Sequence, residues 1–481
     1  MNHFQTPQSR CFAGIARCDI TPPVGIYHRM WGAATHDRST GVHRPLTATV
    51  LYLQNRAAEI DPPQVIIAVD HCLFWTAEMR RLLDFVSTET GVVRDALIVF
   101  FSHTHGAGLM GLERRSLPGG ELIEPYLDEL GEKIARLVVE ARDRRTHATI
   151  TYGTGRCGLA AHRDFFDGTR GHFVCGFNPA GPTDDTVLVG RLTSEAGAPI
   201  GTIVNYACHP TTLAWDNTLI SPDFVGAMRE LVETATEVPC LFIQGASGDL
   251  GPREGFVGDL KVADRNGRQL GYAALATLES LPPAGQQFEY TGPVVSGATI
   301  GTWQYRPESS VRANEEQTWI VNRVVAPLRY RSDLPVRSEL DLEQARWQAE
   351  EQDALAQHDD ERAHKAHAMV ERTLRRLTRI EFLPPGETYP YPIILWRMGD
   401  AVWVALDGEH YNILQRTLRA RFPEVPLVIG TLANGSQVWY LPDAPSYGLG
   451  LYQEEVSVLA CGSLEAVIES ATNAIRQLLS E

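Results

Sequence analysis

Ala96-Leu97-Ile98-Val99-Phe100-Phe101-Ser102-His103-Thr104-His105-Gly106-Ala107-Gly108 is an apolar run that breaks into two histidines and then into small residues. Six consecutive apolar side chains, branched and aromatic, describe a strand buried on both faces, and the glycines after His105 describe a tight turn at its end. Side chains alternate along an extended chain, so His103 and His105 are expected on one side, where two imidazoles can meet one metal ion or one substrate. An isolated His-x-His is as readily a hydrogen-bonded pair at a strand end, so the neighbouring stretches have to separate the two readings.

They repeat the pattern. Residues 65–69 form an apolar run that ends in Asp70-His71-Cys72, and residues 200–207 run into Cys208-His209-Pro210-Thr211-Thr212. Leu241-Phe242-Ile243 leads to the turn Gln244-Gly245-Ala246-Ser247-Gly248-Asp249, and residues 401–406 lead to Asp407-Gly408-Glu409-His410. Between these strands, helical spacing is predicted over 76–88 and 124–142, after Ser221-Pro222-Asp223, and over 464–479. Strands alternating with helices indicate an α/β fold of mixed β-sheets with flanking helices. Catalytic zinc usually takes about three protein ligands from His and carboxylates. His103 with His105, His209, Glu409 and Asp70 offer such groups at strand ends, which gather on one edge of a sheet in α/β proteins.

Other stretches are assigned away from the site. Residues 32–41 read as an exposed loop, and 164–185, rich in Gly, Pro, Asn and Asp, as a structured surface loop. A charged excursion at about 336–381, with neither proline nor glycine from 339 to 379, reads as a solvated helix or helical hairpin. Its histidines, His358, His364 and His367, are assigned to solvated surface. With no linker or repeat visible, residues 1–481 are expected to form a single catalytic unit.

Composition bounds the partners. The chain has 481 residues, 44% hydrophobic and 21% charged, as soluble globular proteins do. Its formal net charge of −16 argues against nucleic acid or an anionic membrane surface as partner. The start of the sequence is polar, and no uninterrupted apolar run is long enough to span a bilayer, so a cytoplasmic protein without stable membrane association is expected. The eight cysteines form no Cys-x-x-Cys pair, against both a disulfide framework and a zinc-thiolate site. A homo-oligomer is left open.

The residues resemble the neutral ceramidases and their relatives of unassigned substrate. The resemblance runs in order through Ile20-Thr21-Pro22-Pro23-Val24-Gly25, Asp70, Ser102-His103-Thr104-His105, residues 205–212, Ser221-Pro222-Asp223, Gly248-Asp249, Gly408-Glu409 and Leu432-Ala433-Asn434. It implies a ceramidase-type catalytic domain in which one zinc is held by His103, His209, Glu409 and a tyrosine. Tyr440 is the best match for that tyrosine, with Tyr447 and Tyr452 as the other choices. It also implies that His105 faces the substrate and stabilises a developing oxyanion, and that Arg163 touches the substrate.

Two departures shape the expected function. Ceramidases carry a serine, proposed as a nucleophile, in Gly-Asp-x-Ser-Pro-Asn, whereas this chain reads Gly248-Asp249-Leu250-Gly251-Pro252-Arg253. Glycine cannot attack a carbonyl, which leaves zinc-activated water as the nucleophile, since zinc lowers the pKa of bound water from about 15.7 to about 7. His105 or Asp249 is expected to pass the proton to the leaving group. Ceramidases also have a secretion signal and a C-terminal immunoglobulin-like domain, both missing here, so a soluble small-molecule amide or ester is expected rather than a membrane lipid.

The leading expectation is therefore a zinc-dependent hydrolase of an amide, with an ester as the other option. Gly245-Ala246-Ser247-Gly248-Asp249 lacks only the final glycine of the serine-hydrolase elbow, so a metal-independent hydrolase using Ser247 is the first alternative. Its blander reading is a hydroxyl that bonds the turn or a substrate. A ligand-binding protein on a degenerate hydrolase scaffold is the second alternative.

Overall fold

In the computed structural model, which describes residues 3–57 and 61–480, the run at 96–101 forms a strand over Leu97–Phe101. It closes one edge of an eight-stranded mixed sheet whose members in chain order are β1 (Gln8–Asp19), β2 (Thr47–Gln54), β3 (Gln64–Val69), β4 (Leu97–Phe101), β5 (Thr146–Arg156), β6 (Thr186–Ser194), β7 (Pro199–Tyr206) and β8 (Cys240–Gln244). Their spatial order is β8-β7-β6-β5-β1-β2-β3-β4. The pairs β3/β4 and β7/β8 are parallel. A second sheet, β9 (Trp319–Arg329), β10 (Thr388–Met398), β11 (Ala401–Leu406) and β12 (Leu427–Gly430), lies in that order and ends in the parallel pair β11/β12.

The two sheets pack face to face because their strands are apolar on both sides. In β4, Leu97, Val99 and Phe101 join one core cluster, while Ile98 and Phe100 join another with Trp396, Trp403 and Val428 of the second sheet. In β11, Ala401, Trp403 and Ala405 enter that inter-sheet core, and Val402, Val404 and Leu406 face the opposite way. Each fully buried Leu, Ile, Val or Phe contributes roughly 1.5–3 kcal/mol, so neither face tolerates solvent.

Helices cover the outer faces. The helices α1 (Thr76–Thr90) and α2 (Ile123–Asp143) bury Leu82, Leu130, Ile134 and Val138 on β1–β4. Next, α3 (Phe224–Thr236) and α4 (Leu260–Glu279) bury Met228, Val232 and Leu270 on β6–β8. A helical hairpin follows, α5 (Arg337–Ala356) and α6 (Asp360–Glu381). Finally, α7 (Ile413–Arg421) and α8 (Ser463–Ser480) close the second sheet with Leu414, Leu418, Val467 and Ile475. The layers run helix, sheet, sheet, helix. No helix among the described residues is long and apolar enough to cross a membrane.

Three sequence expectations change. Residues 164–185 are not all loop: Ala160–Asp167 and His172–Asn178 pair as an antiparallel hairpin beside Leu250–Pro252, its mixed composition reflecting a solvent-facing side. The 32–41 loop is anchored rather than exposed throughout, with Ala34 and Ser39 buried. The charged excursion is a hairpin, as one reading had it, but its second helix is not solvated all round. Glu371, Thr373, Leu377 and Arg379 are buried against the rest of the chain.

Candidate active site

Three strand ends deliver the groups that matter. The chain leaves β4 at Phe101, and His103 takes a left-handed backbone conformation, φ 66°, a strained state that persists only where surroundings enforce it. Its amide bonds the His71 carbonyl after β3 at 2.9 Å, and Thr104 Oγ1 bonds the Ser221 carbonyl at 2.7 Å. Strand alternation therefore does not bring His103 and His105 together, as the sequence suggested; the turn does, with ring centroids 5.1 Å apart and nearly perpendicular. His209 follows β7. Glu409 follows β11 in a two-residue strand, Glu409–His410, that pairs in parallel with Tyr440–Leu441, so Glu409 and Tyr440 share a rung.

At that meeting point the Nε2 atoms of His103 and His209 are 3.0 Å apart. Glu409 Oε2 lies 3.1 Å from the first and 3.0 Å from the second. Tyr440 Oη stands 3.2 Å from His209 Nε2. All four residues are buried.

The far side of each imidazole fixes its role. His103 Nδ1 faces the Cys72 carbonyl at 2.8 Å, and His209 Nδ1 faces the Ser247 carbonyl at 2.7 Å. A carbonyl only accepts, so each Nδ1 carries a hydrogen and each Nε2 faces inward, the orientation of metal-bound histidines; burial opposes charge on His103, but Cys72 and Glu409 hold it well above its ordinary value, so a cation in the site takes the place of its Nε2 proton. Burial would raise Glu409, but His103 and His209 hold it well below the usual carboxylate range. Burial and Arg163 depress His209 to about 3, so it stays a neutral donor. Two inward Nε2 atoms and a carboxylate oxygen at 3.0–3.1 Å from one another suit a small divalent cation with ligands at about 2.0–2.2 Å. The residues thus fit the metal that the sequence implied.

His105 lines the cavity above this cluster. Neither of its ring nitrogens has a hydrogen-bond partner among the described residues, and enclosure, together with His103 and His209, holds it well below its ordinary value and hence neutral. Arg163 is buried and also lines the cavity; its Nη2 donates to the Gly248 carbonyl at 2.6 Å and to Tyr440 Oη at 2.9 Å. Tyr447 instead donates to the Leu459 carbonyl at 3.0 Å, and Tyr452 packs on Tyr440 at 5.9 Å. Of the three tyrosines, Tyr440 is the one beside the histidines.

Two expected site residues are elsewhere. The turn after β8 passes behind His209, on its Nδ1 side, so Ser247 and Asp249 do not line the cavity. Ser247 Oγ accepts from Gln244 Nε2 at 2.7 Å, and the useful atom of Ser247 is its carbonyl, which orients His209. Asp249 accepts from the Asn412 backbone at 2.7 Å and from the Asn412 side chain, and burial pushes it up to about 8. Neither residue is placed to attack, bind or protonate a substrate in the cavity. Asp70 is a scaffold group too, held by Arg229 at 2.7 and 2.8 Å.

The cavity, about 680 Å³, brings in residues that motif reading missed. Trp31 packs on His105 at 5.1 Å and meets Trp215 and Phe256 edge-on at 6.2 and 5.7 Å, giving an aromatic wall. Facing in from α6 are Arg372, Arg375, Arg376 and Arg379. Their spacing of 3, 1 and 3 residues marks one helix face, a signal present in the sequence but submerged in the charge of its surroundings.

No protein-family model matches this chain, and no curated protein matches it. Solved structures do. The crystal structure of neutral ceramidase from Pseudomonas aeruginosa superposes with a TM-score of 0.64 over 98% of this chain and 74% of its own, at 16% identity. A ceramidase complexed with C2 superposes at 0.63, over 98% and 76%, at 15% identity.

The fold is that of the neutral ceramidases. The ceramidase-type likeness extends over nearly all of this chain, the arginine-bearing hairpin falling within a span aligned almost end to end. At such identity it establishes the architecture, while the side-chain roles rest on this chain's own geometry.

Proposed function

We propose that the protein is a zinc-dependent hydrolase that cleaves the amide bond of a small molecule with an apolar portion. One observation carries the reading: His103, His209 and Glu409 converge at 3.0–3.1 Å beneath a cavity walled by aromatic and cationic side chains. The ceramidase names of both fold neighbours support an amide over an ester. A cytoplasmic location is part of the proposal, as is a partner that is a small molecule and not a nucleic acid, in keeping with the net charge of −16.

His103, His209 and Glu409 would hold the ion, with Tyr440 beside them. Zinc there supplies Lewis acidity and lowers the pKa of a water toward neutrality. The net reaction adds water across the amide: a C–O bond forms at the carbonyl carbon, the C–N bond breaks, and the leaving nitrogen takes up a proton. His105 is a neutral imidazole with two free ring nitrogens facing the cavity, suited to donate a hydrogen bond to the carbonyl oxygen as charge develops there. With Asp249 behind His209, His105 would also move the proton in this reading, a contribution typically about 10²- to 10⁴-fold. Arg163 holds Tyr440 in position through the 2.9 Å bond. The Trp31, Trp215 and Phe256 wall takes the apolar portion and excludes water.

Metal analysis of protein expressed with ample zinc tests the reading. The expected result is about one equivalent of zinc, amide hydrolysis that stops on chelation and returns with zinc, and loss of both in His209→Ala. Less than about half an equivalent, with activity indifferent to chelators, overturns it.

A further inference from the structure

The cavity contains a positive charge that the reaction above does not use. On α6, Arg372 pairs with Glu455, and Arg376 pairs with Glu343 at 2.9 Å. Arg375 lies 3.8 Å from Glu371, but Glu371 is shared with the buried Arg114 at 3.3 Å. Arg379 is 6% exposed and no carboxylate of the described residues lies within ion-pair distance of it. Its Nη1 donates to the Val456 carbonyl at 2.7 Å, its guanidinium stacks 4.0 Å over the Trp439 ring, and its Nε has no partner among the described residues. Arg375 is similar: Nη2 donates to the Met30 carbonyl at 2.7 Å, and Nε is unpartnered. Burial without a paired anion pulls Arg379 down to about 10. An unpaired buried charge is costly and is commonly retained where a ligand of opposite sign completes it.

The location of Arg379 says which part of a ligand it would meet. Arg379 and the Trp439 ring it stacks on line the same cavity as His103 and Glu409 of the metal cluster, and Trp439 is joined to Glu409 by a 2.6 Å bond from the Glu409 amide to the Trp439 carbonyl. The aromatic wall adjoins the same cluster on the His105 side. A molecule whose scissile amide sits at the cluster can reach the apolar wall with one arm and Arg379 with the other.

We propose that the substrate is an amide carrying an anionic group close to the scissile nitrogen, a carboxylate held by Arg379 with Arg375 beside it, as in an N-acyl amino acid. This rests on the amide-hydrolase reading and narrows it. A neutral amide would leave Arg379 without a carboxylate among the described residues, and Arg375 with only the Glu371 carboxylate that Arg114 also holds. Guanidinium is suited to the task because its planar donors match a carboxylate in pairs.

The test compares N-decanoylglycine with N-decanoylethanolamine, in which a neutral hydroxymethyl group replaces the carboxylate, on the zinc-loaded protein. Affinity is read by calorimetry and hydrolysis by amine release. The carboxylate is expected to bind about 10- to 100-fold better, and Arg379→Gln is expected to reduce that preference to under about threefold, with Arg379→Lys between the two. Equal binding of the two probes by the unmodified protein overturns the inference. So does a preference that survives in a folded Arg379→Gln, because the carboxylate would then be held by the metal or another group. Should Arg379→Gln fail to fold, Arg375→Gln and the Arg379→Lys intermediate carry the same comparison. Carboxylate-selective binding without hydrolysis of either probe would overturn the amidase reading and leave the anion site standing; hydrolysis of both without selectivity would do the reverse.

Discussion

Gly248→Ala should damage the metal site far more than it damages the fold. Gly248 lies where three elements cross: its amide donates to the His410 carbonyl at 2.7 Å, its carbonyl accepts from Arg163 at 2.6 Å, and the preceding carbonyl, of Ser247, orients His209. A Cβ at 248 would stand 2.5 Å from the Glu409 carbonyl oxygen and 2.9 Å from the His410 carbonyl carbon and oxygen, all backbone atoms with no rotamer to yield. Comfortable contact begins near 3.5 Å, so about 1 Å of separation has to be found between the turn carrying His209's partner and the strand carrying Glu409. Ligand constellations tolerate roughly 0.5 Å. Overpacking of this kind costs about 1–3 kcal/mol. At about 2.1 cal/mol/K of unfolding entropy per residue, a chain this long loses only about 1 °C in Tm per kcal/mol, hence about 1–3 °C. Zinc affinity should fall at least about 10- to 100-fold, as when groups supporting a metal ligand are lost. Competition with a chromophoric chelator measures the affinity and calorimetry the Tm. Gly158→Ala, where nothing lies within 4 Å, serves as the control. If Gly248→Ala binds zinc within about threefold of the parent, the argument from close approach fails.

Further outcomes follow from the same geometry. Ser247→Ala should keep most of the activity, and the parent should resist fluorophosphonate labelling, because the Ser247 hydroxyl is bonded to Gln244 behind His209; a labelled, inactivated Ser247 would restore the serine-hydrolase mechanism. Burial raises Asp249 to about 8, well above the roughly 3.9 of an unfolded carboxyl. The folded state then holds the extra proton, so this group's penalty grows as pH rises from about 4 to about 8. Asp249→Asn should therefore gain stability relative to the parent by up to about 4 kcal/mol between pH 5 and pH 8 in urea titrations, and parallel pH profiles would refute the assignment. Arg229→Met strands the buried Asp70 carboxylate and should cost about 3–5 kcal/mol, with part recovered in the double variant Asp70→Asn/Arg229→Met; a loss under about 1 kcal/mol would show that the pair contributes little.

The legible parts of this protein share a cause. Strands buried on both faces must be largely apolar, so β3, β4, β7, β8 and β11 stand out as runs, and the polar stretch after each run marks where the chain emerges. His103, His209 and Glu409 each lie two or three residues past such a strand, which is why they are legible as candidate ligands. Where reading failed, the pattern was right and the direction wrong. Ser247 and Asp249 do follow a strand end, but the turn carries them behind His209, and nothing in five residues of sequence tells front from back. The arginines of α6 are hidden for the opposite reason: a helix rich in Arg and Glu looks solvated, and only the partners of each charge reveal that Arg379 meets no carboxylate among the described residues. The left-handed turn at His103 was invisible because the alternation rule assumes an extended chain.

By itself the sequence determined the apolar strands, the helices between them and the kind of side chain at each strand end, because burial and backbone periodicity are local demands that every residue must meet. Tertiary structure alone decided which ends converge. Three groups more than a hundred residues apart reach within 3.1 Å of one another because two sheets pack face to face, and because a helical hairpin closes the space above them with charge that no local rule could orient.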